Sequence, residues 1–374
     1  MARRRAGSGE PDAPGTPLSS LPVAVDAMGG DKAPAEIVTG ARKAAEEGIP
    51  VLLVGVPELM GDTGGLPVVE CSEVIGMDED PAQSVRRKKD SSLVRTAELV
   101  RDGAASAMVS AGNTGATMAS ALLRMGRLPG VVRPCIATPL PRLGREPAVL
   151  VDAGANAECT SAMLVQFAQM GAAYAAARYG IGDPSVALLS IGEEPSKGTP
   201  LVKETHGLLA GGAGVRFIGN VEGRDLLPSA ADVVVTDGFT GNVTLKALEG
   251  SLRFIVQTLF GVFSTDAQTR AASEVLLPHL LPIASALDPE NTGGAMLLGV
   301  DGICVISHGS SSATAVHNAV RVARDLARSD LTGLLATAVG RTRGETPGSG
   351  ADPGILRSRE HPRAHSPTRS HGAS

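Results

Sequence analysis

Ser106-Ala107-Met108-Val109-Ser110-Ala111-Gly112-Asn113-Thr114-Gly115-Ala116-Thr117-Met118-Ala119 decides the fold class of this chain. A short apolar run stops at Ser110, small polar residues and glycine follow, and an Ala/Met/Leu stretch of helical character begins. This order predicts a strand, a tight turn and a helix, with Asn113 and Thr114 placed to cap the helix. A helix start presents unpaired N–H groups and a positive dipole end, which suits an anion. Glycine in the turn lets the backbone approach that anion closely.

The same grammar recurs. Val149-Leu150-Val151 runs into Asp152-Ala153-Gly154-Ala155-Asn156, and Val186–Ser190 into Ile191-Gly192-Glu193-Glu194. Val233-Val234-Val235 runs into Thr236-Asp237-Gly238-Phe239-Thr240-Gly241-Asn242, and Cys304-Val305-Ile306 into Ser307-His308-Gly309-Ser310-Ser311. In an open parallel sheet, ligands sit beyond the carboxyl ends of the strands. All five turns are therefore expected at one end of the sheet, walling one site.

The bulk properties agree with a large α/β protein. The chain has 374 residues, 43% of them apolar and 20% charged, enough for a sizeable core. Aromatic residues are 2% and Trp is absent, so the core must be built from Ala, Val and Leu. A net charge of −5 argues against nucleic acid as the main partner. Cys71, Cys135, Cys159 and Cys304 are scattered without a CxxC pair, which disfavours a metal site or disulfide framework and favours a reducing cytoplasm. Arg3-Arg4-Arg5 has no apolar run behind it, so it does not read as a signal peptide. No stretch reaches the ~18 apolar residues of a membrane span.

Taken in order, residues 1–20 read as a disordered leader rich in Pro, Gly, Ser and Arg. A single α/β domain is expected over residues 21–335. Val23-Ala24-Val25, a helix from Pro34 to Glu47 and Val51–Val54 form an opening βαβ unit. Cys71–Ile75 reads as a further strand. Arg86-Arg87-Lys88-Lys89 is the densest basic cluster, and Asp90-Ser91-Ser92 after it reads as a cap for a helix over Leu93–Arg101. Met163, Leu164, Phe167, Met170 and Tyr174 mark a core-facing helix over Thr160–Tyr179. An apolar helical hairpin is expected over about 242–290, and a last helix over Thr314–Ala327. Residues 340–374 read as a flexible tail.

Familiar nucleotide fingerprints are absent, as is the G-x-S-x-G of serine hydrolases. What remains is a set of turns rich in backbone donors, small hydroxyls and amides, with Asp26, Asp31, Asp152, Asp237, Lys197 and His308 among them. Such a set fits an oxyanion or phosphate reactant better than a purine ring.

Eight ordered segments then carry a resemblance. They are Val25-Asp26-Ala27-Met28-Gly29-Gly30-Asp31, Arg87-Lys88-Lys89-Asp90-Ser91-Ser92, Ser110-Ala111-Gly112-Asn113-Thr114-Gly115-Ala116 and Asp152-Ala153-Gly154-Ala155-Asn156. Ile191-Gly192-Glu193-Glu194, Gly219-Asn220-Val221-Glu222-Gly223, Asp237-Gly238-Phe239-Thr240-Gly241-Asn242 and Ser307-His308-Gly309-Ser310-Ser311 follow. Together they resemble the acyl-carrier-protein-dependent phosphate acyltransferases of bacterial phospholipid synthesis, over residues 22–330. The resemblance implies transfer of a fatty acyl group from acyl carrier protein to inorganic phosphate, giving acyl phosphate. It implies the Rossmann-like α/β/α fold shared with isocitrate dehydrogenases and phosphotransacetylases, a homodimer, no organic cofactor and no obligatory metal. Many relatives carry Tyr where this chain has Thr292 and Asp where it has Ser312.

On that reading Lys197, His308, Asn242 and Asp237 are the candidate catalytic residues. Asp26, Gly29, Gly30, Lys88, Lys89, Ser110, Asn113, Thr114 and Asn156 are the candidates for binding phosphate. His308 fits either a general base or an oxyanion donor; Asn242 and Asn156 fit helix capping equally well; Cys159 is disfavoured as a nucleophile. The acidic carrier is expected on a basic patch drawn from Arg86, Arg87, Lys88, Arg95, Arg127 and Arg133. The apolar hairpin suits a dimer interface, the core, or the bilayer surface from which a membrane acyltransferase takes the product. The competing readings are a metal-dependent hydroxy-acid dehydrogenase of the same fold, which wants clustered aspartates, and a non-catalytic scaffold of lipid synthesis.

Overall fold

A computed structural model describes residues 20–142, 144–228 and 231–339. Residues 1–19 of the expected leader and the whole expected tail lie outside the described residues. The strands are β1 (Val23–Asp26), β2 (Val51–Gly55), β3 (Val68–Glu70), β4 (Ala107–Ser110), β5 (Cys135–Leu140) and β6 (Ala148–Val151). They continue with β7 (Ser185–Ser190), β8 (Arg216–Glu222), β9 (Val233–Val235), β10 (Ala295–Leu298) and β11 (Cys304–Ile306). All join one eleven-stranded sheet in the order β3-β2-β1-β4-β11-β10-β5-β6-β9-β7-β8.

The sheet is mostly parallel, as expected, but it holds two parallel sets of opposite sense, and this corrects the reading that places all five turns at one end. β3, β2, β1, β4 and β11 are mutually parallel, as are β6, β9, β7 and β8. Between the two sets, β10 pairs antiparallel with β11 and with β5, and β5 antiparallel with β6. Three antiparallel steps reverse the sense of the sheet. The turns after β1, β4 and β11 therefore leave one end, and those after β6, β7 and β9 leave the other. The five turns do not share one end.

A second correction is local. Cys71–Ile75 is not a strand; β3 lies just before it. β2 ends at Gly55, whose carbonyl accepts from Cys71 N–H, so the residues beyond leave the sheet and make only an isolated bridge, Glu73 to Ser91.

Helices cover both faces. They are α1 (Ala35–Glu46), α2 (Pro57–Met60), α3 (Pro81–Arg87), α4 (Ser92–Arg101), α5 (Thr114–Arg124) and α6 (Ser161–Tyr179). α7 (Pro200–Ala210), α8 (Gly238–Phe263), α9 (Ala267–Leu287), α10 (Ala313–Arg328) and α11 (Leu331–Val339) follow. Val25, Val109, Val305, Met296, Ala137, Val151 and Val235 form one cross-strand row. That row packs under α1, α6 and α10 in the main core, with Ile37, Phe167 and Val316. The adjacent row, Met108, Cys304, Leu297 and Ile136, faces the opposite way, toward Leu93 and Val94 of α4 and Ala116 and Ala121 of α5. The alternation follows from the two-residue period of strands.

The expected hairpin is present as α8 and α9. Asp266 caps α9 by accepting from Thr269 N–H, while the Thr269 hydroxyl receives the Asp266 N–H. Phe254, Ile255, Val275 and Leu276 on its flanks stand exposed. Among the described residues no helix is long and apolar enough to cross a membrane.

α1 crosses α10 at Gly40. A Cβ there would lie 2.5 Å from the Ala313 carbonyl oxygen and 2.7 Å from Val316 Cβ. Gly40→Ala gains about 1 kcal/mol of helix propensity and loses about 1–3 kcal/mol to overpacking against backbone. We expect a net loss, read as a lower urea midpoint at unchanged slope. A raised midpoint would show that the two helices separate freely.

Candidate active site

The first group of candidates is built on β1, β4 and β11. Asp26 ends β1 and is buried; its carboxylate accepts from the Ser110 hydroxyl at 2.7 Å and from Met28 N–H at 3.2 Å. The Ser110 hydroxyl in turn accepts from Gly112 N–H at 3.0 Å. A Cβ on Gly29 would lie 2.5 Å from Asp26 Oδ2 and 2.7 Å from Gly112 N, so only glycine lets the first two turns touch. Gly30, at φ 109°, lies against Gly309, whose carbonyl accepts from Asp31 N–H. Asn113 caps α5 by accepting from Ala116 N–H at 3.0 Å, and its amide donates to the Met77 carbonyl at 2.8 Å. Thr114 is exposed at the first position of that helix.

His308 is exposed on the turn after β11. Its Nδ1 lies 3.2 Å from Ser310 N–H and 2.8 Å from the Ser310 hydroxyl. A backbone N–H only donates, so Nδ1 accepts and the ring proton of the neutral imidazole sits on Nε2. In this conformation His308 presents a donor outward. Ser307, a residue the sequence reading did not single out, is buried beside it, and its hydroxyl has no hydrogen-bond partner among the described residues. Such an orphan is rare in a folded protein. The available signal was its place at the strand end, one residue before the histidine.

Lys88 donates to Glu79 at 2.5 Å and to the Val74 carbonyl at 2.6 Å, so its charge is already engaged. That contact, with Gly76 N–H and the Ser84 hydroxyl, holds the Glu79 carboxyl down at about 2. Lys89, next along, is exposed.

The second group gathers at the opposite end, around buried Asp152. One carboxylate oxygen accepts from Ile136, Gly154 and Ala155 N–H; the other accepts from Asn156 N–H at 2.8 Å and its amide at 2.9 Å. Asn156 also donates to the Pro134 carbonyl, so it ties the turn to the entry of β5. Asp237 caps α8, accepting from the N–H and hydroxyl of Thr240. Asn242 lies one turn along, its amide 3.4 Å from the Ala153 carbonyl. Burial pushes the thiol of neighbouring Cys159 up to about 11, with Asp152 and Asp237 acting in the same direction. It is a protonated, poor nucleophile at neutral pH. Lys197 stands exposed on the turn after β7, 4.0 Å from Glu194.

The two groups meet underneath. Ala116, Met118 and Ala119 of α5 pack in one apolar cluster with Ala153 and Ala155 of the second turn and Leu245 of α8. Polar turns thus flank a shared apolar floor.

The last turn is closed by acids. Ser312 caps α10 and donates to Glu290 at 2.7 Å, while Ala313 N–H donates to Glu36 at 2.6 Å. Two carboxylates therefore occupy the α10 N-terminus, beside Ser312.

Comparison with known proteins gives the family. Residues 21–333 match the family model described as "Fatty acid synthesis protein". The chain is 47% identical to a protein named phosphate acyltransferase from Elusimicrobium minutum (strain Pei191) over 314 residues, 81% of this chain and 92% of the relative. It is 48% identical to one of the same name from Desulfitobacterium hafniense (strain Y51), over 82% of this chain and 94% of that one. A phosphotransacetylase from Streptococcus pyogenes shares the fold with TM-score 0.56 at 18% identity, covering 83% of this chain and 94% of that one. A branched-chain phosphotransacylase from Enterococcus faecalis V583 does so with TM-score 0.55 at 19% identity, covering 82% and 99%. The chain belongs to the phosphate acyltransferase family: it is an acyltransferase with the α/β fold of the phosphotransacetylases.

Asp26 and Asp152 generate a pH prediction. Burial raises both carboxyls, against the donors that surround them. A raised folded-state value means that the folded protein holds protons the unfolded chain has released, so stability falls as pH rises above the ordinary aspartate value near 3.8. Asp26→Asn removes one such group. Unfolding free energy should then fall less steeply with pH above that value, by up to about 1.4 kcal/mol per pH unit, whatever constant offset the amide introduces. Parallel curves for wild type and variant in urea melts would show that Asp26 carries no such linkage.

Proposed function

We propose that this family member transfers a fatty acyl group from the thioester of acyl carrier protein to inorganic phosphate, releasing acyl phosphate and the carrier thiol. The observation that carries the reading is the apolar floor between two polar turn groups. An acyl thioester needs an apolar bed for its chain, and a phosphate needs donors at its edge. Neither competing reading has that requirement.

The chemistry follows from residue types. A phosphate oxygen attacks the thioester carbonyl carbon, negative charge collects on the carbonyl oxygen, and the C–S bond breaks to release thiolate, which takes up a proton. Phosphate is held at the α5 N-terminus by Ser110, Asn113, Thr114 and the close-packed backbone at Gly29 and Gly30. Lys197 supplies countercharge from the second group, where Asn156, Asp237 and Asn242 shape the wall. Lys88 contributes through Glu79 and the α3 loop. His308, with its proton on Nε2, donates to the developing oxyanion. The donor reading of His308 is thus preferred to the general base. The thiolate is a fair leaving group and HPO₄²⁻ a sufficient nucleophile, so no covalent acyl-enzyme is needed.

The carrier docks on α3 and its neighbourhood. Arg95 already faces Asp90 and Glu98, and Arg127 donates to the Val131 and Val132 carbonyls. Arg86, Arg87 and Arg133 are exposed and carry the steering charge. A cytoplasmic site of action follows from a soluble carrier.

The test is thiol release from acyl carrier protein thioester by the purified protein. We expect release to depend on added phosphate; release at the same rate without phosphate would overturn the reading. In that assay His308→Ala should lower kcat about 10²-fold, and His308→Gln, which keeps a donor, should recover most of that loss. Equal losses in the two variants would return His308 to the role of base.

The hairpin is read as a dimer contact. Its apolar residues lie on the flanks of α8 and α9, while the connecting turn, Ser264-Thr265-Asp266, is polar. Phe254→Glu with Val275→Glu should shift a sedimenting dimer to monomer with the helical circular dichroism unchanged. A persistent dimer that has lost binding to anionic liposomes would instead assign this face to the bilayer surface.

A further inference from the structure

Gly219-Asn220-Val221-Glu222-Gly223 is a segment that the site as described leaves without a role. Its first four residues end β8, beyond the turn after β7, and Gly223 begins the turn that follows. The β7–β8 ladder shifts register between Val186 and Leu188: Phe217 pairs with Val186, yet Asn220 pairs with Leu188. One extra residue is accommodated on β8, and Gly219 within that stretch adopts φ 105°. A bulge of this kind re-aims the side chain next to it. Here that side chain is Asn220.

Asn220 spans two partners. Its amide nitrogen donates to the Glu194 carbonyl at 3.0 Å and lies 3.4 Å from the Gly192 carbonyl. Its amide oxygen lies 2.9 Å from His206 Nδ1, on α7. The orientation is unambiguous on chemical grounds, because two backbone carbonyls can only accept. The oxygen must then face His206, and Nδ1 must carry a proton. The His206 ring is itself set edge-on against Phe217, with centroids 5.1 Å apart at 79°. A chain of contacts runs from α7 through β8 to the turn that carries Lys197.

That turn has little else to hold it. Ile191 is 81% exposed, and Glu193, Glu194, Pro195, Ser196 and Lys197 are exposed as well. Within it, Lys197 N–H donates to the Glu194 carbonyl at 3.0 Å, and the Lys197 side-chain stem runs alongside Gly192, where a Cβ would lie 2.7 Å from Cγ. Gly192 and Glu194, the two residues whose carbonyls Asn220 grips, are thus the two that position Lys197. We infer that His206 and Asn220 are positioning residues that hold the Gly192–Glu194 turn, and through it Lys197, in the conformation that receives the anionic reactant. The functional half of this inference rests on the reading that Lys197 meets phosphate.

The experiment uses the full chain with acyl carrier protein thioester and inorganic phosphate. Wild type is compared with Asn220→Ala, His206→Phe, His206→Gln, Lys197→Ala and the double variant Lys197→Ala with Asn220→Ala. Asn220→Ala should raise the phosphate KM about tenfold, the scale of one to two hydrogen bonds, and leave the carrier KM within about twofold. His206→Phe keeps a ring against Phe217 but has no donor, and should follow Asn220→Ala. His206→Gln restores a donor and should rescue the phosphate KM. In the double variant, Asn220→Ala should add nothing to Lys197→Ala. Hydrogen exchange at the Lys197 amide, read in parallel, should accelerate in Asn220→Ala and His206→Phe.

An unchanged exchange rate and an unchanged phosphate KM in both variants would overturn the clamp. So would additive losses in the double variant, because the clamp would then act elsewhere than through Lys197. Faster exchange together with a phosphate KM that Lys197→Ala does not move would remove Lys197 from the phosphate site while leaving the clamp in place. Should Asn220→Ala fail to fold, the His206→Phe and His206→Gln pair decides the matter alone.

Discussion

Every backbone N–H and C=O in a buried sheet must find a partner, and in this protein that requirement is met across a change of strand direction. β10 and β5 are the pieces that do it. Each pairs antiparallel on both sides, so the ladder is continuous from β3 to β8 although the two flanking sets run oppositely. A parallel set presents its turns at one end only, so the reversal is what creates two turn groups instead of one. The shared apolar floor exists for the same reason. α5 descends from the first end over the face that the Asp152 turn and α8 enter from the second, and their small side chains meet between.

Buried carboxylates anchor both groups. Asp26 and Asp152 each end, or immediately follow, a central strand, and each accepts hydrogen bonds from the turn it initiates. An isolated buried charge would be costly; several N–H donors aimed at one carboxylate offset much of that cost. The arrangement also fixes turn geometry more firmly than backbone bonds alone. The glycines at 29, 30 and 112 belong to the same solution, since the turns approach closely enough that a Cβ at 29 would strike the Asp26 carboxylate. The candidate residues thus divide into those that build the cradle, such as Asp237 and Asn156, and those that stand exposed over it, such as Thr114, Lys197 and His308.

The sequence disclosed the turns, most of the helices that follow them and the apolar hairpin, because each has a local signature: a β-rich run, small polar residues, then a cap. Direction has no such signature. β5 was illegible because Pro139 reads as a strand breaker; in the fold Pro139 lies beyond the reach of β10, which pairs only with 135–137. β10 is four residues long and follows Gly293-Gly294, so it reads as more turn. These two strands are the ones that reverse the sheet, so missing them led to the expectation of a single end. The exposed chemistry of Lys197 and His308 was legible from position. The proton placement on His308 and the orphan hydroxyl of Ser307 were not, since both depend on neighbours brought in by folding.

The contact between Ala313 N–H and Glu36 joins residues that lie 277 positions apart. β11 completes the first parallel set beside β4, and α10 covers it against α1. A ribosome delivers β1, β2 and β4 early, yet the half-sheet they form lacks its inner neighbour and one of its covering helices until the last part of the sequence emerges. During synthesis the first-made half must wait with an open edge and an uncovered apolar face. The β6–β9 half, contiguous in the chain, can close before it. Such non-local completion slows folding and prolongs exposure to aggregation, so a chain truncated before β11 is expected to need chaperone protection along its oldest segment, not its newest.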